Sequence, residues 1–426
     1  NAGLAQLTPE RTGGIGLVLG AGNVTSIPLL DALYELLAFN RVVLLKLNPT
    51  QDALLPVFTR AFAPLIELNL VRIVTGAGDV GAYLTAHPGI AHVHITGSAV
   101  THDAIVWGVG EEAARHKAAG TPLLQTEISS ELGGVSPIIV VPGRWSKADL
   151  RFQAEHIATM RLQNSGHNCI AGQVVLLSAD WPQKHAFLIE LRDAYSRAPQ
   201  RPVWYPGAER KLEDAAAAYP HAERLGDGSR LLIDLAPGDD ASAMEHTEYF
   251  APVLGVVELR GTGQRFVDAA VDHANDRLTG TLGANVLIDP VTQRRLGEGF
   301  EAAIERLHYG AIAINTWTAV AFLTSGCTWG AYPGATLENV SSGIGVVHNS
   351  FLLDDVERSV VRGPFRPFPR SVSPSSLIAR EGSVLPKPPW FVTARTGAQV
   401  SAGLTEFQAR RNPIGLARTL MAAFRA

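Results

Sequence analysis

The stretch Gly14-Ile15-Gly16-Leu17-Val18-Leu19-Gly20-Ala21-Gly22 decides the fold. Its apolar run predicts a buried strand that enters a tight glycine loop. The segment after it predicts a helix with Pro28 in the first turn, because five leucines recur there at helical spacing. Short strands and helices then alternate, and the strands are continuously apolar. This pattern is typical of an α/β fold whose parallel sheet is covered by helices on both faces.

The rest of the chain continues this alternation. Strands are predicted at 42–45, 71–74, 91–95, 122–125, 137–141, 174–177, 253–257, 283–288 and 312–315. Helices are predicted at 54–62, 80–86, 104–114, 148–162, 266–274, 292–304 and 413–426. The polar segment 196–229 is predicted to decorate the surface. After Val347 a cluster of prolines, Pro364 to Pro389 with Pro374 among them, predicts an extended arm or linker.

Composition excludes several classes of protein. The chain has 426 residues, 46% of them hydrophobic and 18% charged, with a net charge of -4. No basic cluster suited to nucleic acid is present, and the longest apolar helix predicted, 28–39, is too short to cross a bilayer. Only two cysteines occur, Cys169 and Cys327. This count favours a reducing compartment, the cytoplasm, over a disulfide framework.

Cys169 lies within Gln163-Asn164-Ser165-Gly166-His167-Asn168-Cys169-Ile170-Ala171-Gly172-Gln173, at the mouth of an apolar run. A thiol in such a polar, glycine-flanked turn is expected to be exposed and ionisable, as a nucleophile must be. The alternative is a small core residue, which is the commoner role of a lone cysteine.

Three further motifs carry possible chemistry. Glu131-Leu132-Gly133-Gly134 is predicted to be a loop on which a mobile acid can act as a general base, or else a solvated loop carboxylate. Ile95-Thr96-Gly97-Ser98 follows a strand and precedes a helix, where backbone amides can bind a phosphate. Gly20-Ala21-Gly22 alone is weak support for a dinucleotide loop. His92 and His94 share one strand face. No third ligand lies at a usable spacing, so a metal site is not predicted.

Together these motifs resemble the NAD(P)-dependent aldehyde dehydrogenase superfamily. The likeness rests on Glu131–Gly134 and on the cysteine turn, which are separated by a helix as in that family, and it covers roughly residues 14–349. Supporting marks are Val42–Lys46, Ile95–Ser98 and Glu248-Tyr249-Phe250-Ala251-Pro252. The resemblance implies a Rossmann-type cofactor domain at 1–131, an α/β catalytic domain at 132–346, and a return segment, Pro-rich extension and C-terminal helix at 347–426. It also implies a homo-oligomer, and relatives carry an N-terminal portion before the first strand seen here.

The resemblance further implies a role for each matching residue. Cys169 would attack an aldehyde, Asn23 would hold the oxyanion, and Glu131 would activate the water that hydrolyses the thioester. For the cofactor, NAD or NADP, the binding residues would be Lys46, Gly97, Ser98, Glu248 and Phe250. Trp317, Phe322 and Trp329 would suit an apolar or aromatic substrate.

Two alternatives remain open on the sequence. His167 stands where the family usually has Gln or Glu, and four residues separate Asn23 from Pro28, whereas the family's asparagine is almost adjacent to its proline. Both departures favour a CoA-dependent acylating dehydrogenase, whereas Glu131 argues against one because a thiol acceptor needs no water-activating base. The second alternative is a non-catalytic binding protein that keeps the fold.

Overall fold

Residues 2–372 and 383–425 are described by a computed structural model. The strands are β1 Ile15–Leu19, β2 Val42–Lys46, β3 Val71–Val74, β4 His92–Gly97, β5 Ile128–Leu132, β6 Ser136–Val140, β7 Gly172–Ser178, β8 Glu223–Leu225, β9 Arg230–Leu235, β10 Val253–Leu259, β11 Gly283–Leu287, β12 Ala311–Ile314, β13 Trp329–Gly330, β14 Gly343–Ile344, β15 Val346–His348 and β16 Ser359–Arg362.

The α-helices are α1 Leu4–Leu7, α2 Ile27–Phe39, α3 Leu55–Ala61, α4 Ala63–Glu67, α5 Gly78–Thr85, α6 Ala99–Trp107, α7 Gly110–Ala119, α8 Lys147–Leu162, α9 Lys184–Arg197, α10 Ala208–Ala218, α11 Ser242–His246, α12 Gln264–Arg277, α13 Pro290–Leu296, α14 Glu298–Arg306, α15 Thr318–Leu323, α16 Gly397–Arg410 and α17 Pro413–Ala423. Short 3-10 helices lie at Pro9–Arg11, Pro49–Leu54 and Gln163–Gly166. In the described ranges no helix has the length and apolar character needed to cross a membrane.

The strands form two large sheets. The first has the order β14-β5-β4-β1-β2-β3 and is parallel except for β14, which runs antiparallel to β5. The second has the order β16-β12-β11-β6-β7-β10-β9-β8, with β8 antiparallel to β9. The carboxyl ends of parallel strands meet at one edge of a sheet, and ligands of α/β proteins bind there. The sequence-predicted boundary at residue 131 falls on β5, and the division into domains stays a prediction.

Helix α8 connects the second sheet to the cysteine turn. Ser146 and Asp149 form a capping box at its start, and most of its residues are buried, including Ile157 and Met160. The helix packs in a core cluster with the strand residues Val175 and Leu177. A helix fixed in this way delivers Gln163 and the residues after it to a defined place at the edge of the sheet.

Three sequence-based element predictions were wrong. Residues 122–125 form no strand; the strand is Ile128–Leu132, and its polar residues concealed it. The predicted helix 104–114 is two helices because Gly108 and Gly110 take positive φ values of 92° and 69°. The predicted helix 292–304 is likewise interrupted at Gly297 (φ 53°).

The described parts of the Pro-rich segment pack on the body of the protein. Phe365, Phe391 and Val392 are buried, and Gln153 of α8 donates a hydrogen bond of 2.7 Å to the carbonyl oxygen of Phe365. The predicted arm is therefore not confirmed. Pro374 lies outside the described residues.

Candidate active site

Cys169 lies where α8 gives way to β7. The chain leaves the helix through the 3-10 turn Gln163–Gly166, in which Asn164 and Ser165 adopt left-handed φ values of 53° and 54°. Such a conformation is uncommon for residues other than glycine and tends to occur at functional sites. This turn places Cys169 just before β7, at the amino-end edge of the second sheet.

Glu131 lies against Cys169, but not on a loop as the sequence predicted. It is the fourth residue of β5 and is only 2% exposed. Its carboxylate accepts a hydrogen bond from the Cys169 thiol and one of 3.4 Å from the indole Nε1 of Trp329. Burial raises the pKa of Glu131 to about 7, and the nearby carboxylate of Asp31 adds to the shift. The acid is therefore held by the sheet, and only Gly133 and Gly134 after it leave the strand.

The prediction of an exposed, ionised thiol is wrong for this state of the molecule. Cys169 is half-buried as a residue, and its thiol is desolvated. Burial, then the negative charge of Glu131 and the hydrogen bond to it, raise the pKa of Cys169 well above its usual value. The thiol proton is thus held between Cys169 and Glu131, and the carboxylate is the group placed to take it.

Asn23 reaches the cysteine turn from the first sheet. Its side-chain Nδ2 donates a hydrogen bond of 3.0 Å to the carbonyl oxygen of His167, and Asn164 Nδ2 donates at 3.0 Å to the carbonyl oxygen of Asn23. The two asparagines therefore tie the loop after β1 to the turn that carries Cys169. A primary amide has a second N–H, so Asn23 keeps one donor for another acceptor.

His167, where the sequence departs from the family it resembles, turns away from the thiol. Its Nδ1 donates to the carbonyl oxygen of Phe250 at 2.7 Å, and its Nε2 accepts from the backbone N–H of Trp204 at 3.3 Å. These partners fix the neutral tautomer, and burial lowers the pKa of His167. The imidazole fastens the cysteine turn to two other loops and does not line the cavity beside Cys169.

The segment 196–229, predicted to be surface decoration, covers the cysteine turn. Ser165 Oγ donates to the carbonyl oxygen of Pro202 at 2.9 Å, and Trp204 Nε1 donates to Asn164 Oδ1 at 3.1 Å. Tyr205 and, from α10, Lys211 line the cavity beside Cys169. The polar composition that suggested an exposed segment reflects its contacts with a polar turn.

Glu248 faces Cys169 across the cavity. It is fully desolvated, and burial raises its pKa to about 7 although the cations of Lys211 and Arg161 work against the shift. Its Oε1 has no hydrogen-bond partner in the part of the chain that the structure describes. A Cβ on Gly133 would collide with this carboxylate, so a larger residue there would displace the Glu248 side chain.

A cavity of about 100 Å³ joins the sequence-predicted residues. Its walls include Asn23, Gly97, Ser98, Glu131, Cys169, Glu248 and Phe250. Lys46 lies outside it and lines an adjoining groove of about 970 Å³, which shares Gly97 and Ser98 with the cavity. The structure thus brings the proposed catalytic residues together at the inner end of a long groove.

Comparison with known proteins agrees with this geometry. The model of the aldehyde dehydrogenase family matches residues 14–201, which include β1, β5 and the cysteine turn. Over this stretch the chain is similar to the aldehyde dehydrogenase family.

Solved structures extend the likeness in fold. An aldehyde dehydrogenase from Pseudomonas aeruginosa is 20% identical with a TM-score of 0.59, the match covering 80% of this chain and 66% of that one. A gamma-glutamyl-gamma-aminobutyraldehyde dehydrogenase from Burkholderia cenocepacia is 24% identical with a TM-score of 0.60 over 80% and 66% of the two chains. The chain thus spans just under two thirds of the length of these proteins. The aldehyde-dehydrogenase-like α/β fold predicted from the sequence is confirmed.

Arg161 is a residue of this candidate site that sequence reading missed. It is 1% exposed, its Nε donates to the carbonyl oxygen of Ala251 at 2.9 Å, and its Nη1 donates to that of Ala171 at 3.1 Å. The guanidinium therefore joins the loop after Glu248 to the chain just beyond Cys169. Nothing in the sequence around Arg161 marks it, since its partners are backbone carbonyls distant in sequence.

Replacing Arg161 by methionine is expected to lower the free energy of unfolding by about 2–5 kcal/mol, because two buried carbonyl oxygens lose their donors. Denaturant unfolding followed by fluorescence measures the change. Arg151→Met on the same helix is the control. The Arg151 side chain is 60% exposed, and its loss should cost no more than about 1 kcal/mol. Equal losses in the two variants would contradict the bridging role of Arg161.

Proposed function

We propose that the chain oxidises an aldehyde to a carboxylic acid with hydride transfer to NAD or NADP. One observation carries the proposal: Cys169 and Glu131 line the same small cavity, which adjoins a long groove. A nucleophile beside a buried base is the arrangement that covalent acyl chemistry requires. The aldehyde dehydrogenase from Sinorhizobium meliloti, one of the similar structures, is described as NAD-dependent.

The groove residues fit a dinucleotide. Helix α6 begins after Ser98, and its first backbone N–H groups can bind a pyrophosphate beside Gly97. Lys46 lines the same groove and suits a ribose hydroxyl. The unpartnered Oε1 of Glu248 can accept from hydroxyls of the second ribose, with Phe250 packing nearby. When bound, the nicotinamide would supply the hydride acceptor.

Cys169 performs the first half of the reaction. Glu131 takes the thiol proton, and the thiolate attacks the aldehyde carbonyl. The resulting oxyanion lies within reach of the backbone N–H of Cys169 and the second N–H of Asn23. Loss of hydride from this thiohemiacetal leaves an acyl thioester on Cys169.

Glu131 performs the second half. As a carboxylate it takes a proton from water, the hydroxide attacks the thioester, and the carboxylic acid leaves. This role favours water over CoA as the acyl acceptor. The aldehyde's identity stays open. Of the predicted substrate residues, Trp317 and Trp329 are buried in the core, and the indole of Trp329 donates a hydrogen bond to Glu131. A cytoplasmic location and a homo-oligomer stay predictions.

The test is formation of NADH or NADPH, measured by absorbance with a panel of aliphatic and aromatic aldehydes, with and without CoA. We expect turnover without CoA and the free acid as product. Strict dependence on CoA would replace the proposal by an acylating dehydrogenase. No turnover with any aldehyde, combined with labelling of Cys169 by iodoacetamide no faster than a free thiol, would favour a non-catalytic binding protein.

The pH profile of kcat/KM should have an acid limb near pH 7. Glu131 must be ionised to take a proton, and its pKa is raised to about 7. Below that value the protonated form dominates, so the rate should fall about tenfold per pH unit. Stopped-flow assays between pH 5 and 9 measure this. Glu248 also has a pKa raised to about 7, so Glu248→Gln is the control. Loss of the limb in that variant would assign it to Glu248.

A further inference from the structure

A row of polar side chains crosses the buried face of the first sheet and ends at Glu131. His94 and Thr96 alternate along β4, and both are buried. In the parallel ladder His94 lies beside Ser129 and Thr96 beside Glu131, so these four side chains share one face. The covered face of a parallel sheet is ordinarily apolar. A polar row in that position calls for a functional explanation.

Helix α2 packs over this row and adds two buried carboxylates. Asp31 and Glu35 are one helical turn apart, and each is 2% exposed. Thr96 Oγ1 donates to Asp31 Oδ2 at 2.9 Å, and His94 Nε2 lies 3.6 Å from the same oxygen. Asp31 Oδ1 has no hydrogen-bond partner within residues 2–372 and 383–425. Asp31 is therefore a buried carboxylate whose acceptor capacity is only partly used.

Glu35 forms a separate group one turn further along the helix. Arg41 donates to its Oε2 at 2.9 Å, and His92 Nδ1 lies 3.2 Å from its Oε1. Gly16 makes room for this carboxylate, since a Cβ there would approach Glu35 Oε2 to 2.7 Å. Glu35 is thus fully paired, whereas Asp31 is not.

Thr96 connects Asp31 to the cavity beside Cys169. Thr96 lines the cavity beside Cys169, and its hydroxyl donates into the protein, to Asp31. Electrostatically, Asp31 raises the pKa of Glu131, whereas His94 lowers it. His94 is held by Ser129 Oγ at 2.8 Å, and Asp31 raises its pKa despite burial. Glu35 on α2 and His348 on β15 also interact electrostatically with this pair.

The proposed reaction produces protons that must leave this buried place. Conversion of the aldehyde and the Cys169 thiol into the thioester releases a hydride and the thiol proton. Hydrolysis then converts thioester and water into carboxylate, thiol and one proton. Both protons pass through Glu131, which must be ionised again before each step. The cavity around it measures only about 100 Å³ and adjoins the larger groove proposed to hold the cofactor.

We infer that Asp31, held by His94 and reached through the Thr96 hydroxyl, is the internal acceptor of the proton that Glu131 collects. This inference rests on the proposed function. Protonated Glu131 gives its proton to Thr96 Oγ1, its neighbour in the parallel ladder, and the hydroxyl proton of Thr96 passes to Asp31 Oδ2. Before the next turnover the proton returns by the same path to Glu131 and leaves through the adjoining groove. The atoms balance, because Thr96 is a hydroxyl before and after.

Asp31→Asn tests the inference, because asparagine keeps the shape and still accepts from Thr96 but cannot take a proton. We expect an unchanged burst of NADH in the first turnover and a steady-state rate lowered at least about tenfold. A small external base should replace Asp31, so 50–200 mM imidazole or formate should restore the steady rate in a concentration-dependent way. A purely structural role of Asp31 would not respond to added buffer.

Glu35→Gln is the matched control, since it removes the neighbouring buried carboxylate on the same face of α2. Its burst and steady rate should match wild type and ignore buffer. If Asp31→Asn does not fold, the variants Thr96→Val and Thr96→Ser test the same path. Valine lacks the hydroxyl and should slow the steady rate, whereas serine keeps it and should retain the rate. A normal steady rate in Asp31→Asn or Thr96→Val, or a slow rate without buffer rescue, would overturn the inference. A wild-type protein that oxidises no aldehyde would instead overturn the proposed function.

Discussion

Replacing Cys169 by alanine is expected to abolish aldehyde oxidation. The thiol is the nucleophile in the proposed mechanism, and no described group within the cavity can take its place. Loss of a catalytic nucleophile lowers kcat by at least about 10³-fold and often far more. Steady-state NADH formation measures the loss. Cofactor binding, followed by quenching of tryptophan fluorescence, should remain, because Lys46 and Glu248 do not depend on the thiol.

Cys327→Ala is the control for this experiment. Cys327 is the other cysteine of the chain, is half-buried like Cys169, and packs beside the core cluster around α8. Its replacement should leave the rate within about twofold of wild type. Comparable losses in both variants would mean that neither cysteine has a unique chemical role. Full activity in Cys169→Ala would refute the nucleophile outright.

Replacing Glu131 by glutamine is expected to separate the two halves of the reaction. Hydrolysis loses its base, so the steady-state rate should fall by about 10²–10⁴-fold. The first half needs only one removal of the thiol proton, which solvent can provide at high pH. The expected result at pH 9 is therefore a burst of NADH close to one equivalent per active site, followed by slow turnover. Stopped-flow absorbance at 340 nm records both phases.

Glu127→Gln controls for the change of charge near the strand. Glu127 directly precedes β5 and is exposed, so its replacement should alter neither phase. An unchanged steady rate in Glu131→Gln would refute the assignment of Glu131 as the base for hydrolysis. Loss of the burst together with the steady rate at pH 9 would restrict Glu131 to the first half of the reaction.

The pairing of Cys169 with Glu131 could be predicted from the sequence because each lies in a short motif. Their order and the helix between them carried the family resemblance, and the structure places the two side chains in contact. The state of the thiol could not be predicted. It depends on burial and on the proton shared with Glu131, which are properties of the packed site and not of the residues flanking Cys169.

The strand that holds Glu131 was hidden for a related reason. Residues 128–132 contain three consecutive polar residues, and two of them, Ser129 and Glu131, face the buried row that contains Thr96 and Asp31. Such a strand does not have the continuous hydrophobicity expected in a parallel sheet. The row itself joins helix α2 to β4 and β5, which lie tens of residues apart. Only the register of the sheet reveals that these side chains meet.

Tyr205, Lys211 and Arg161 show the same limit. Each lines the cavity or binds backbone atoms that are distant in sequence. Lys211 Nζ, for example, donates to the carbonyl oxygen of Glu248 at 2.9 Å. Sequence spacing carries no signal for partners of this kind. His167 was singled out correctly as a departure, but its side chain braces loops and does not face the substrate cavity.

The most direct test of the account is the covalent state of Cys169 during turnover. Glu131→Gln is mixed with an aldehyde and NAD at pH 9, quenched in acid within seconds, and analysed by intact and peptide mass spectrometry. The account predicts an acyl group, with the mass of the aldehyde less one hydrogen replacing the thiol hydrogen, on the peptide that contains Cys169. Formation of NADH with no adduct on that peptide, or with the adduct on Cys327, would contradict it.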